Sequence, residues 1–421
     1  MKIKLSILLL ILSGMLFGNE NYNNYWPNWR GPNCDGVSTT ATPPVFWNDS
    51  TNIKWKIPIP GNGFGTPVVW DNQIFITTSI ELKNTEPEGI VRFVVYSIDR
   101  ETGEILWEKV VREQLPHEEI MYFASHAAAS CVTDGKHMIA SFGSYGIYCF
   151  DMTGNMIWEK DLGDMPDPLA LGEGASPVIY KDCIVINWDN VGQSKIFVLD
   201  KDTGEEIWQK DRKEDYTWAT PLIIEYQNKS QVIIPGKKKS ISYDLFNGNI
   251  IWEIAGLDES IIASPVADGK SVYLMAGVPS AGILQCINLN KANGILDSVD
   301  NVRWSSDRGI PYVPSAILKD EKLYYLKGSR SQLSCVDAKT GKIYYDAIRI
   351  KGMKGGYPSP VCANGNIYVL DRKGTCSIIK EGTDFTILSQ NKLDDNFYAS
   401  PVVVGNDLIL RGEIFLYYIS K

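Results

Sequence analysis

The stretch FVLDKDTGEEIWQK, residues 197–210, recurs along the chain. The same Asp, Gly and Trp return as Asp99, Gly103 and Trp107, as Asp151, Gly154 and Trp158 one residue shorter, and as Asp244, Gly248 and Trp252. Asp337, Gly341 and Tyr345 carry Tyr in place of Trp, and a degraded copy with an insertion holds Asn288, Gly294 and Trp304. A second phrase, Ser/Thr-Pro-Val or a variant of it, sits at Thr66, Ser130, Ser176, Thr220, Ser264, Pro314, Ser359 and Ser400. These eight anchors recur at roughly 45-residue intervals, a period that belongs to propellers.

Each unit reads as four strands, A to D. The anchor begins strand A, a turn such as Asp134-Gly135 leads to strand B, and strand C ends at the Asp. The Thr-Gly turn then closes a hairpin into strand D, which bears the Trp. The Asp carboxylate accepts from amides of its own turn, the Gly supplies positive φ, and the Trp fills the wedge between neighbouring sheets. After Ser400 the chain has three strands and stops, while Trp55 stands before any anchor. The pattern therefore predicts an all-β, eight-bladed β-propeller of four-stranded antiparallel blades, closed by strand 53–58 joining the C-terminal blade. Seven blades is the alternative if the copy around Ser130 or Ser400 packs differently. One domain, 19–421, is expected, with 22–50 packed on the propeller.

Lys2 and Lys4 precede the apolar stretch 5–17, which is too short to span a bilayer and reads as a signal peptide, 1–18. An exported protein is expected, periplasmic or secreted, with no membrane anchor after cleavage. A net charge of −9 argues against nucleic acid as a partner. Eight cysteines in an exported chain suggest disulfides, but the spacing does not. Cys149, Cys335, Cys376 and Cys286 fall two places before the end of strand C, in one small slot per blade. Free, buried thiols are expected, with Cys34 the exposed exception.

Ligands of propellers gather where the D–A and B–C loops converge on the channel. The B–C loops hold Lys237, Lys238, Lys239, Lys327, Arg330, Arg372, Lys373 and Arg411, opposed by Asp371 and Glu413. A basic sector on an acidic protein points to an anionic ligand. His126, Asn187, Asp189, Arg308 and Tyr312 are candidates for polar contact, and Trp188 and Trp218 for stacking. Three histidines are too few for a convergent metal site, and no Ser–His–Asp or Cys–His spacing marks a catalytic residue. The glycine-rich GNGFG at 61–65 lacks Lys and opens no helix, so it is a loop.

The repeat resembles the family of PQQ-like β-propeller repeat proteins. It is similar in form to the outer-membrane assembly lipoprotein BamB and to the propellers of quinoprotein alcohol dehydrogenases. The segments WPNWRGPNCDGVS (26–38), VTDGKHMIASFGSYGIYCFD (132–151), PYVPS (311–315) and NKLDDNFYASPVV (391–403) resemble an exported subgroup of it. The resemblance implies a non-catalytic binding or scaffold propeller of the bacterial cell envelope, a monomer whose partner is an anionic glycan or an envelope protein. The alternative it implies is an oxidoreductase using PQQ with calcium. Those enzymes hold the quinone with adjacent cysteines, which this chain lacks, so no cofactor is expected. The chain also lacks a lipid-anchor Cys of the BamB kind.

Overall fold

Eight sheets pair as four-stranded antiparallel blades, strand A innermost. The computed structural model describes residues 22–48, 50–257, 260–279 and 281–421. The expected signal peptide lies outside the described residues. Blade one is Val68–Trp70, Gln73–Glu81, Val91–Asp99 and Ile105–Gln114. Strands A and B are buried almost throughout and read as apolar runs, whereas strand D is half exposed and alternates. Two blades carry a fifth strand. Gly294–Ile295, from the insertion in blade five, lies parallel on the outer edge of blade four, and Val37–Ser38 lies parallel on the inner edge of blade seven. Among the described residues no helix is long and apolar enough to cross a membrane.

The ring closes as the repeat predicts. Strand Ile53–Pro58 is strand D of the last blade, beside Phe415–Ser420. Trp55 faces Tyr418 in the register, and the two rings stack at 5.2 Å and 8°.

The strand-D tryptophans do more than fill wedges. Each reaches the next blade and donates its indole N–H to the carbonyl following that blade's turn Asp. Trp55 bonds Arg100, Trp107 bonds Met152, Trp158 bonds Lys201, Trp208 bonds Leu245 and Trp304 bonds Ala338, at 2.8–3.2 Å. The turn glycine lies flat on the same ring. A Cβ on Gly204 would meet Trp158 at 2.7 Å, and one on Gly154 would meet Trp107 at 2.8 Å. Glycine is thus required twice, for positive φ and for the close approach. Trp252 is the exception. Blade five replaces the Asp turn with the 3₁₀ turn Leu289–Lys291, and the Trp252 N–H is buried without a partner. The turn aspartates act as expected: Asp200 accepts from the amides of Asp202 and Thr203 and from the Thr203 hydroxyl.

The anchors stand two residues before strand A and bond one another around the axis. The Thr66 amide donates to the Ser130 hydroxyl, Ser130 to Ser176, Ser176 to Thr220 and Thr220 to Ser264. Ser264 donates to Ser315, Ser315 to Ser359, Ser359 to Ser400, and Ser400 back to Thr66. The bonds span 2.8–3.2 Å and close a circle. The sixth anchor is therefore Ser315 and not Pro314, because the repeated element is a hydroxyl.

All eight cysteines are free, seven buried and Cys34 half-buried. Cys149, Cys286 and Cys335 do share one slot, each facing the aromatic residue of strand D. Cys376 does not. It pairs with Leu370 near the start of strand C, and Ile378 fills the slot opposite Tyr368. Blade seven has no turn Asp from which to count.

Residues 22–38 run across the inner end of the channel. Trp26 bridges to Val69 of blade one, and the Thr133 amide of blade two donates to the Pro27 carbonyl. Arg30 then reaches blade six, donating to the carbonyls of Ser315 and Ala316 and to that of Asp35. Blades two and six face each other across an eight-membered ring, so the segment spans it. Gly31 packs on the Trp26 ring and Gly36 on the Arg30 guanidinium, each with positive φ where a Cβ would clash. That accounts for the local sequence WPNWRGPNCDG.

Candidate functional site

The residue two places before each anchor points into the channel. In order these are Phe64, Ala128, Gly174, Trp218, Ile262, Val313, Tyr357 and Tyr398, and all line one cavity of about 250 Å³. Phe123, Leu171 and Tyr312 complete its wall, six of the anchor hydroxyls ring its lower part, and Trp29 from the crossing segment forms its floor. The cavity is a blind funnel opening on the face of the D–A and B–C loops. Phe64 stacks on Tyr398 at 3.9 Å and 10°, and Tyr398 lies 5.9 Å from Tyr357 at 20°. Blades seven, eight and one thus present a continuous aromatic wall. Ala128 and Gly174, on blades two and three, leave space beside Phe64, and Trp218 of blade four stands across the ring from Tyr398.

Arg372 is the cation at this wall. Its guanidinium carbon lies 6.0 Å from the Tyr357 ring and 5.8 Å from the Tyr398 ring, cation–π distances for both. Asp371, its neighbour, is buried and spends its carboxylate on the amides of Lys354, Lys373 and Thr375. Lys373 is tied to the Asn396 side chain.

Of the other expected site residues, two line the funnel and the rest fall elsewhere. Trp218 and Tyr312 line the funnel. Lys327 ends the strand Lys322–Lys327, Arg330 ends the 3₁₀ turn Gly328–Arg330 and Arg308 follows the strand Val302–Ser306, and none of them enters a salt bridge among the described residues. Lys237 and Lys238 share the single carboxylate of Asp215, at 3.7 and 2.7 Å, and Lys239 pairs with Glu253. The expected acidic opponents, Asp371 and Glu413, are thus not what offsets the basic sector at blade four. Arg411 is not on the rim. It is buried beneath the 61–65 loop, donates to the Gly65 carbonyl, and is held down to about 10 by burial. A Cβ on Gly63 would meet its guanidinium at 1.9 Å, so the glycines of that loop make room for an arginine.

Asn187, Trp188 and Asp189 are buried and line a small pocket with Tyr216 and Trp218, apart from the funnel cavity that Trp218 also lines. Asn187 donates to Thr217 and Ala219, and Trp188 belongs to the core between blades two and three. Asp189 forms an ion pair with Arg212 at 2.8 Å, both side chains fully buried. Burial opposes the Arg212 charge, but Asp189, Tyr243 and Glu214 hold its pKa above the ordinary value.

His126 lies beside the mouth, edge-on to Phe93 and Tyr145. Burial, and then His117, push it down to about 4, so it brings no positive charge at neutral pH. It shares a small pocket with Glu173, whose carboxyl burial pushes up to about 8. Both Glu173 oxygens engage Ser144, at 2.6 Å to its amide and 2.5 Å to its hydroxyl. Glu173 therefore ties the loop before blade three to blade two. Among the described residues no group of three or more His, Cys, Asp or Glu is placed to hold a metal ion.

Charge drew attention to the B–C loops and away from the funnel, so Phe64, Tyr357, Tyr398 and Trp29 were missed. Their signal was present in the sequence, as the place two before each anchor: FGT, AAS, GAS, WAT, IAS, VPS, YPS and YAS.

The family described as outer membrane protein assembly factor BamB matches residues 37–186 and 192–347. No curated protein matches the sequence. Among solved structures, BamB from Moraxella catarrhalis is similar with a TM-score of 0.62 and 14% identity, over 87% of this chain and 99% of that one. A europium-containing methanol dehydrogenase gives 0.65 and 10%, over 95% and 98% of the two chains. Quinohemoprotein alcohol dehydrogenase from Comamonas testosteroni gives 0.64 and 12%, over 95% and 81%. At these identities the likeness shows the fold.

Proposed function

The chain belongs to the family described as outer membrane protein assembly factor BamB, and from that membership we propose that it is an exported, non-catalytic binding propeller of the bacterial cell envelope. Its ligand, an anionic glycan or protein segment, is taken at the funnel. The observation that carries this reading is a blind, aromatic-walled cavity with one cation at its wall and no carboxylate, amide or imidazole side chain among its lining residues. Such a surface offers stacking and one charge, which suits recognition.

The quinone alternative calls for a calcium donor set. Calcium takes six to eight oxygen ligands, carboxylates prominent among them. The funnel presents none, and its anchor hydroxyls already accept backbone amides. The residues present do not fit a calcium-held quinone at this place.

The test is a photo-reactive residue placed at Leu171 on the funnel wall and, separately, at Ile250 on the outer edge. Adducts in cells from Leu171 alone support binding at the funnel, and none from Leu171 overturns it. In parallel, the purified protein is given PQQ and calcium and assayed for bound quinone absorbance and dye reduction with alcohols. Bound quinone with turnover would replace a binding protein with an enzyme.

A further inference from the structure

Three segments interlock on the face of the funnel mouth, between blades six and seven. They are the B–C loop 327–331 of blade six, the end of its strand D with the loop after it, 349–356, and the B–C loop 371–374 of blade seven. The Ile350 amide donates to the Ser331 carbonyl, and the Gly355 amide to the Ser331 hydroxyl. The Gly356 amide donates to the Gly328 carbonyl, and the Arg372 amide to the Gly355 carbonyl. A Cβ on Gly328 would run into the Gly356 carbonyl, so glycine is what lets the loops nest. Together they make one braced platform.

Its outward charge is all of one sign. Lys327 and Arg330 come from the first segment, Arg349, Lys351 and Lys354 from the second, and Lys373 from the third. Lys327 is half-buried and the rest are exposed, and none enters a salt bridge among the described residues. Lys373 holds the neutral Asn396 side chain and keeps its charge. Asp371, the single carboxylate of the three segments, is buried and turned inward onto the amides of Lys354, Lys373 and Thr375. The lysines of blade four on the same face have carboxylate partners, so the unpaired state is particular to this platform.

What the platform fits follows from what it lacks. Protein interfaces draw their affinity from apolar and aromatic anchors at a centre depleted of charge. The apolar side chains of these segments, Ile350 and Met353, are buried. Charge is left as the means of recognition, and a partner with many closely spaced anions answers it. The chain as a whole carries −9, so a long polyanion that wraps past the platform meets repulsion. A flat anionic surface touches one face only. The acidic turns, such as that of Asp337, lie at the other end of strands like Lys322–Lys327, roughly 20 Å away at the rise of a strand. That distance exceeds the Debye length of about 8 Å at physiological ionic strength, so the acidic face is screened while the platform is in contact.

We infer that this platform docks the propeller on an anionic lipid surface, its Lys and Arg side chains pairing with headgroup phosphates. The inference goes beyond the funnel reading and does not depend on it. Because the mouth opens on the same face, docking turns the funnel towards the lipid.

The test is flotation of the purified mature chain with phosphatidylcholine vesicles, with and without phosphatidylglycerol. The protein should float only with the anionic vesicles, and rising salt should release it. Each Lys or Arg near such a surface strengthens binding about fivefold, so Arg330→Gln, Arg349→Gln, Lys351→Gln and Lys354→Gln combined should weaken it about a hundredfold or more. The control removes the same charge from the opposite face, at the exposed Lys270, Lys339, Lys342 and Lys380, each changed to Gln. It should float like the unaltered chain, and both variants should keep its melting temperature. Equal flotation with the two kinds of vesicle, or equal loss in the two variants, overturns the inference. Release by free glycerol phosphate overturns it in favour of a discrete phosphate site, and capture by polyglutamate without flotation in favour of an acidic protein. Each of these outcomes leaves adducts from Leu171, and with them the funnel reading, unaffected.

Discussion

The amide of Ser400 donates to the hydroxyl of Thr66 across 3.0 Å, joining residues 334 apart in the chain. It is the bond that turns a row of eight anchors into a circle. Each link is buried, so losing a hydroxyl strands an amide. Thr66→Val keeps the shape and removes the acceptor. It should cost about 1–3 kcal/mol, the penalty for an unsatisfied buried donor, whereas Thr66→Ser should cost little of that. Denaturant midpoints of the two variants check it.

The tryptophans offer an internal control. Trp158→Phe loses the bond to the Lys201 carbonyl, and Trp252→Phe loses none because its N–H has no partner. The first should cost about 0.5–1.5 kcal/mol more than the second. Trp55→Ala removes both the stacking on Tyr418 and the seam between the chain ends, and should cost about 3–5 kcal/mol. Thermal melts of the three variants rank them.

The anchor period, the blade number and the Trp55 seam were legible because the unit repeats, and a period survives weak copies. What was lost had no local signal. Nothing near Arg411 in sequence says that Gly63 and Gly65 bury it, since that contact closes across blades eight and one. Asp189 looked available for the same reason. Its partner Arg212 lies on the far side of two strands, and a charge reads alike in sequence whether paired or free. Cys376 was misplaced because blade seven lacks the landmark from which its strand was counted.

The pair Asp189–Arg212 is buried completely, so removing one partner leaves an uncompensated charge. Asp189→Asn should destabilise by about 3–5 kcal/mol. Pairing Asp189→Leu with Arg212→Met should recover most of the loss, because the pair itself adds little net stability over apolar groups of similar size. A double-mutant cycle on urea midpoints measures the coupling.

Glu173 and His126 give stability opposite slopes with pH. The folded state keeps the Glu173 proton up to about 8, while the unfolded chain releases it near 4.5, so stability falls as pH rises between those values. His126 resists protonation until about 4 when folded but accepts a proton near 6.5 when unfolded, so its contribution rises with pH across that window. Above 6.5 only the Glu173 slope remains. Melting temperature should therefore decline from pH 6.5 towards 8, and Glu173→Gln should flatten that decline while keeping partners for Ser144. A variant as steep as the unaltered protein would assign the slope to another group.

The open side of the funnel exists because Ala128 and Gly174 stand where other blades place Phe64, Tyr357, Tyr398 or Trp218. Ala128→Trp should carry an indole into that space from a half-buried position, without disturbing the anchor circle two residues on. Stability should change by no more than about 0.5 kcal/mol. Occupancy should change completely. Benzenesulfonate, one aromatic ring bearing one anion, should change the tryptophan fluorescence of the native protein, less so with Arg372→Gln, and not at all in the filled funnel. If it binds Ala128→Trp as well as the unaltered chain, it sits outside the funnel and the cavity is not the binding place.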